Sequence, residues 1–120
     1  MKADKLIERC FAASKDVRYV AVYINGDLSL RERAGLAAAS SSDSDRYEEL
    51  LVNPTLIKLA TQRGNIDCGG LKFLLVRYGN FFQFIYPLKN GHVSVALEPS
   101  CDANSITQVL INAISKSIVD

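Results

Sequence analysis

Three apolar runs, Leu71–Tyr78, Phe81–Leu88 and His92–Leu97, are separated only by Gly79-Asn80 and Lys89-Asn90-Gly91. Links that short force neighbouring strands to run antiparallel, because a parallel crossover needs a dozen or more residues. The C-terminal half therefore reads as a three-strand meander. Its strands carry apolar residues at successive positions. Leu71, Phe73 and Leu75 alternate with Leu74 and Val76, and Phe81 and Ile85 alternate with Phe82, Phe84 and Tyr86. A sheet with one wet face would read polar at every second residue. This meander is expected to be covered on both faces.

The remaining elements fall into place around it. Residues 3–14 carry Ala3, Leu6, Ile7, Cys10, Phe11 and Ser14 at helical spacing, with Lys2, Lys5, Glu8 and Arg9 opposite. This is an amphipathic helix with one core face. Val17–Ile24 is rich in β-branched and aromatic residues and ends at Asn25-Gly26. That pair suits a type I′ turn, which needs positive φ at both central positions. A short return strand over Asp27–Arg33 follows, charged enough for a sheet edge. Residues 35–44 are small and polar, and the serine-rich stretch Ser40–Ser44 is expected to be a mobile loop supplying a helix cap. Asp45–Val52 reads as helix. Asn53-Pro54 is expected to interrupt it, since proline lacks a backbone donor and disfavours helix at the preceding residue. A second helix then starts with Asn53 as cap and runs to Arg63, with Leu56, Ile57, Leu59 and Ala60 on its apolar side and Gly64 at its end. A last helix over 103–119, capped by Asp102, carries Ile106, Val109, Leu110, Ala113 and Ile114 in period.

The order is α-β-β-α-β-β-β-α. It predicts an α+β fold: a central five-stranded antiparallel sheet with the outer helices on one face and the middle helix on the other. The 120 residues suit a single domain spanning 1–120. A chain of this size buries roughly two thirds of its unfolded surface without needing disulfides or metal.

Bulk chemistry narrows the function. The formal net charge is +1, which argues against a non-specific grip on nucleic acid or anionic membrane. The polar start lacks the apolar core of a secretory signal, and no segment has the length of a membrane span. Cys10, Cys68 and Cys101 are odd in number and far apart, which reads as reduced thiols in a cytoplasmic protein.

No motif writes out a reaction. Gly64–Gly70 is glycine-rich, but Gly70 stands where a phosphate loop needs lysine, and the segment runs from helix to strand rather than strand to helix. The cysteines and His92 lack the spacing of a zinc site. His92, the lone histidine, follows a turn and reads as a solvated strand start. Cys68, beside Gly69, reads as exposed and weakly reactive. The aromatic run Arg77–Phe84 has the composition of a base-stacking strand but the wrong element order for that fold. No catalytic residue, cofactor or metal is expected.

The order of elements resembles the roadblock / dynein light chain family, which has a profilin-like fold. The resemblance rests on the leading amphipathic helix, on Tyr19–Asp27 as a strand ending in a residue-Gly turn, and on the middle helix, the meander Leu71–Leu97 and the closing helix. It implies a non-catalytic module that forms homo- or heterodimers by pairing middle helices and joining edge strands. Such modules serve as adaptors or regulators of small Ras-like GTPases, or as cargo-linking light chains. Carried onto this chain, Tyr47, Leu51 and Ile57 supply the helix pairing. Leu71, Phe73, Leu74, Leu75 and Val76 supply the joining edge. The chain departs from the pattern at Asn53-Pro54 and in its long serine-rich stretch. The alternative is a small-molecule sensor of PAS, GAF or longin-type architecture, with a pocket between meander and middle helix lined by Phe73, Phe82, Phe84 and Tyr86.

Overall fold

The computed structural model describes residues 2–36 and 42–119. The elements follow the expected order: α1 (Ala3–Ala13), β1 (Val17–Ile24), β2 (Asp27–Glu32), α2 (Ser42–Tyr47), a π-helical turn (Glu48–Val52), α3 (Asn53–Asp67), β3 (Leu74–Arg77), β4 (Phe82–Leu88), β5 (Gly91–Leu97) and α4 (Ala103–Val119). The strands form one antiparallel sheet in the order β2-β1-β5-β4-β3. Chain neighbours pair through their turns. The remaining ladder, β1 with β5, joins the N-terminal hairpin to the meander, with Val20 opposite Val95 and Val22 opposite Val93.

Turn chemistry sets the hairpins. Asn25 and Gly26 both adopt positive φ, 52° and 86°, as a type I′ turn requires. Gly91 is needed for another reason: a Cβ there would lie 1.7 Å from the Tyr23 carbonyl oxygen, so only glycine lets β5 start against β1.

One face of the sheet packs on α1 and α4. Leu6, Ile7 and Cys10 meet Ile106, Leu110 and Ile114 above Val20, Val22, Phe84, Val93 and Val95. Burial pushes the Cys10 thiol up to about 12, so it packs as a small apolar group. Asp102 caps α4 as expected, accepting from the Ser105 hydroxyl at 2.8 Å. The middle helix lies against the other face, joined to it through Tyr19, His92 and Ser94.

Several boundaries differ from the sequence reading. The first meander strand begins at Leu74 rather than Leu71, so Leu71 and Phe73 precede the ladder. The middle helix starts at Ser42 and passes Gly64 to reach Asp67. Of the expected serine-rich loop Ser40–Ser44, Ser40 and Ser41 lie outside the described residues, while Ser42, Asp43 and Ser44 are already the first turn of α2. Asn53-Pro54 does not break the helix. Tyr47, Val52 and Asn53 all keep right-handed helical angles, so residues 42–67 are one helix with a widened turn. The Asn53 amide reaches back to the Glu48 carbonyl, a five-residue step in place of four. The wider turn accommodates the ring and missing donor of Pro54, and the Thr55 hydroxyl donates to the Leu51 carbonyl at 2.6 Å.

Candidate functional site

Two surfaces of the middle helix carry the chemistry of this molecule. The inward one is polar. Glu49 and Asn53 are fully buried, four residues apart and hence on one helix face. Glu49 receives three groups: the Tyr19 hydroxyl at 2.9 Å, the Asn53 amide nitrogen at 3.0 Å and His92 Nε2 at 2.7 Å. Asn53 Nδ2 also lies 3.4 Å from the Ser94 hydroxyl, to which the buried Gln83 donates its amide. Six side chains from the helix, β1, β4 and β5 thus form one network. A buried carboxylate is tolerated when its acceptors are filled in this way. Asn53 Oδ1 is buried with no hydrogen-bond partner among the described residues, a defect that costs about 1–3 kcal/mol for such a group.

His92 is therefore not a solvated strand start. It is 1% exposed and lies beside Tyr23 as a tilted ring pair, with centroids 5.7 Å apart. The register explains the error: β5 begins at Gly91 and pairs on both sides, so the residue after the turn is already central in the sheet. The second face is also less apolar than the meander suggested, since Gln83, His92 and Ser94 occupy its middle.

The outward surface of the same helix is apolar. Tyr47, Leu50, Leu51, Leu59 and Ile66 are exposed, Leu59 at 60% and Ile66 at 75%. Spacing places Leu59 on the apolar side of the helix with Leu56, Ile57 and Ala60. It faces solvent because the sheet-facing stripe is taken by Glu49, Asn53 and Gly64. Among the residues expected to pair or join, Tyr47 and Leu51 are exposed and Ile57 is half-buried. Leu74, Leu75 and Val76 lie in β3, which among the described residues has β4 as its one neighbour and is an open edge of the sheet. Leu75 and Phe73 turn toward the α1–α4 core, so these two already have packing partners in the same chain. Tyr78, directly after β3, donates to Glu48 at 3.1 Å. This places the helix beside the open edge.

The aromatic set Phe73, Phe82, Phe84 and Tyr86 belongs to the α1–α4 face. Phe84 is fully buried there, and the other three pack around it, Phe73 at 5.5 Å and Tyr86 at 6.3 Å between centroids. These rings do not line a pocket against the middle helix. Of the cysteines, Cys68 is exposed and hydrogen-bonded to Asp67, and all three sulfurs are free. Among the described residues no group of His, Cys, Asp and Glu is arranged to hold a metal ion. No helix among them is long and apolar enough to cross a membrane.

No family model matches the chain, and no curated protein matches it by sequence. Solved structures do match it in shape. The Roadblock/LC7 domain from Streptomyces avermitilis superposes with a TM-score of 0.73 at 12% identity, covering 97% of this chain and 94% of that one. An MglB with a tetrameric arrangement matches at 0.71 with 6% identity, over 92% of this chain and 81% of that one. The gliding protein MglB from Thermus thermophilus matches at 0.67 with 8% identity, over 93% and 84%. The fold is that of the roadblock/LC7 domains, as the element order suggested. At these identities the likeness speaks for the fold alone.

Proposed function

We propose that this protein is a non-catalytic adaptor or regulatory domain that works as a dimer, with itself or with a related domain, and presents the paired surface to a small Ras-like GTPase. The observation that carries the reading is the outward stripe Tyr47, Leu50, Leu51, Leu59 and Ile66 beside the open β3 edge. A helix facing the core normally hides its apolar stripe. Here the helix buries polar residues inward and shows its leucines to solvent, which is the pattern of an interface. The open strand adds backbone donors and acceptors that a second strand can satisfy.

In this assembly Tyr47, Leu51 and Ile57 pack across the helix pair, and Leu71, Leu74 and Val76 follow the joined edge. Phe73 and Leu75 support that edge from the core side. The roadblock fold of the gliding proteins favours the GTPase as partner class, because roadblock-type modules act as adaptors and regulators of such enzymes.

Sedimentation equilibrium at micromolar concentration tests the pairing. The expected result is a mass of two chains, reduced to one chain by Leu51→Asp combined with Leu59→Asp while the circular dichroism spectrum is kept. A wild-type chain that remains monomeric alone and with co-expressed related domains sinks the reading. For the partner, immobilised protein should retain a small GTPase from cytosol in a nucleotide-dependent manner. Retention indifferent to GDP or a GTP analogue would remove the GTPase from the proposal.

A further inference from the structure

Between the sheet and the first turns of the middle helix lies a cavity of about 370 Å³, within the range of small-molecule sites. Its floor is one rib of the sheet. Gln83, Ala96, Tyr19 and Glu32 lie side by side across β4, β5, β1 and β2. The first three are at most 6% exposed, so the cavity reaches the interior. Four aromatic rings wall it: Tyr19, Tyr47, Tyr78 and Phe81. Tyr78 and Phe81 stand as a tilted pair, with centroids 5.3 Å apart.

Charge on the wall is one-sided. Glu32, Asp45, Glu48 and Glu49 contribute carboxylates, and the single guanidinium among the lining residues, Arg18, is directed to Glu98 at 2.8 Å. Glu49 is filled by Tyr19, Asn53 and His92, and Glu48 is held by Tyr78. Asp45 has no ion-pair partner among the described residues. Removal from water, then the Glu32 and Glu49 charges, push its carboxyl up to about 6. Burial likewise raises Glu48.

These features select the ligand class. An anion meets four carboxylates. A neutral apolar guest takes water from Asp45 and Glu48 without replacing it, which is costly. A metal ion lacks a ligand cluster among the described residues. An organic cation satisfies both halves of the wall, because aromatic faces attract ammonium groups and the carboxylates neutralise them. We propose that this cavity is a binding site for a small organic ammonium ion, seated against Tyr19, Tyr47, Tyr78 and Phe81 and neutralised by Asp45 and Glu48. The site lies within one chain: it shares Tyr47 with the pairing surface proposed above and uses neither Leu51, Ile57 nor the β3 edge residues.

Calorimetric titration of the full chain with benzyltrimethylammonium and with choline tests this, with 3,3-dimethylbutan-1-ol as the uncharged counterpart of choline. Saturable binding of both cations is expected, with choline at least about tenfold tighter than the alcohol. Asp45→Asn combined with Glu48→Gln should weaken the cations about tenfold or more and leave the alcohol unchanged. The wild-type chain supplies a check that needs no variant. Protonation of Asp45 should weaken the cations between about pH 7.5 and about pH 5, and not the alcohol. Equal affinity for choline and the alcohol overturns the proposal, as does unchanged cation affinity in the double variant or across that pH range. A blocked trimethyl-lysine amide that binds more than about tenfold tighter than benzyltrimethylammonium would place the cation on a protein chain and overturn the free small molecule.

Discussion

Against α1 and α4 the sheet presents Val20, Val22, Phe84, Val93 and Val95, and against the middle helix it presents Tyr19, Gln83, His92 and Ser94. The first face is close-packed hydrocarbon, whose stability comes from area removed from water and from shape. The second is held by hydrogen bonds that converge on Glu49. Such bonds add little net stability, yet leaving one unmade costs a great deal. The first face therefore holds the fold together, and the second fixes where the middle helix lies. That placement turns the helix leucines outward and leaves a cavity by its first turns.

The contrast can be broken experimentally, most severely on the apolar side. Phe84→Ala should destabilise the chain by about 3–5 kcal/mol, read by urea unfolding. A loss under about 1 kcal/mol would show that this face is not the main core. Glu49→Ala should cost about 3 kcal/mol, because it leaves His92, Tyr19 and Asn53 with unmatched buried groups. Glu49→Gln, which keeps an acceptor, should cost visibly less. Equal costs would mean that volume rather than hydrogen bonding holds the helix.

Asp45→Asn should have a smaller effect of opposite sign. The folded chain holds the Asp45 proton more tightly than the unfolded chain, so ionised Asp45 opposes folding above about pH 6. The variant should melt higher than wild type at about pH 7.5, and that advantage should fade as pH falls through 6 toward 3.8. An advantage independent of pH would point to packing instead. Least of all, Leu59→Ser should change the stability of the isolated chain by no more than about 0.5 kcal/mol, since the side chain is exposed. A large loss measured under monomeric conditions would show that the outward stripe belongs to the core.

Legibility followed the same division. Val17–Ile24, the three meander strands and both outer helices could be read because period and turn residues are local signals. Cys10 could be placed in the core because it shares a stripe with Leu6 and Ile7. Glu49, Asn53 and His92 could not be grouped. Each is a residue type common at surfaces, and Glu49 and His92 are 43 positions apart. The one local hint was the four-residue spacing of Glu49 and Asn53, masked by a proline that reads as a helix break. Leu59 could be placed on an apolar stripe but not given a cover, because apolar periodicity shows that a stripe exists and not whether the sheet or a partner meets it. The cavity rib was hidden too, because Gln83, Ala96, Tyr19 and Glu32 become neighbours only through strand register.

The sequence by itself determined the element order, the antiparallel hairpins and the apolar face shared by α1 and α4, because spacing and turn geometry act over a few residues. Tertiary structure alone decided the pairing of β1 with β5, the burial of His92 beside Glu49, the survival of the helix through Pro54 and the outward turn of its leucines. Those outcomes depend on which surfaces meet across the sheet. A buried carboxylate with three filled acceptors competes there against hydrocarbon packing, and no local pattern records the result.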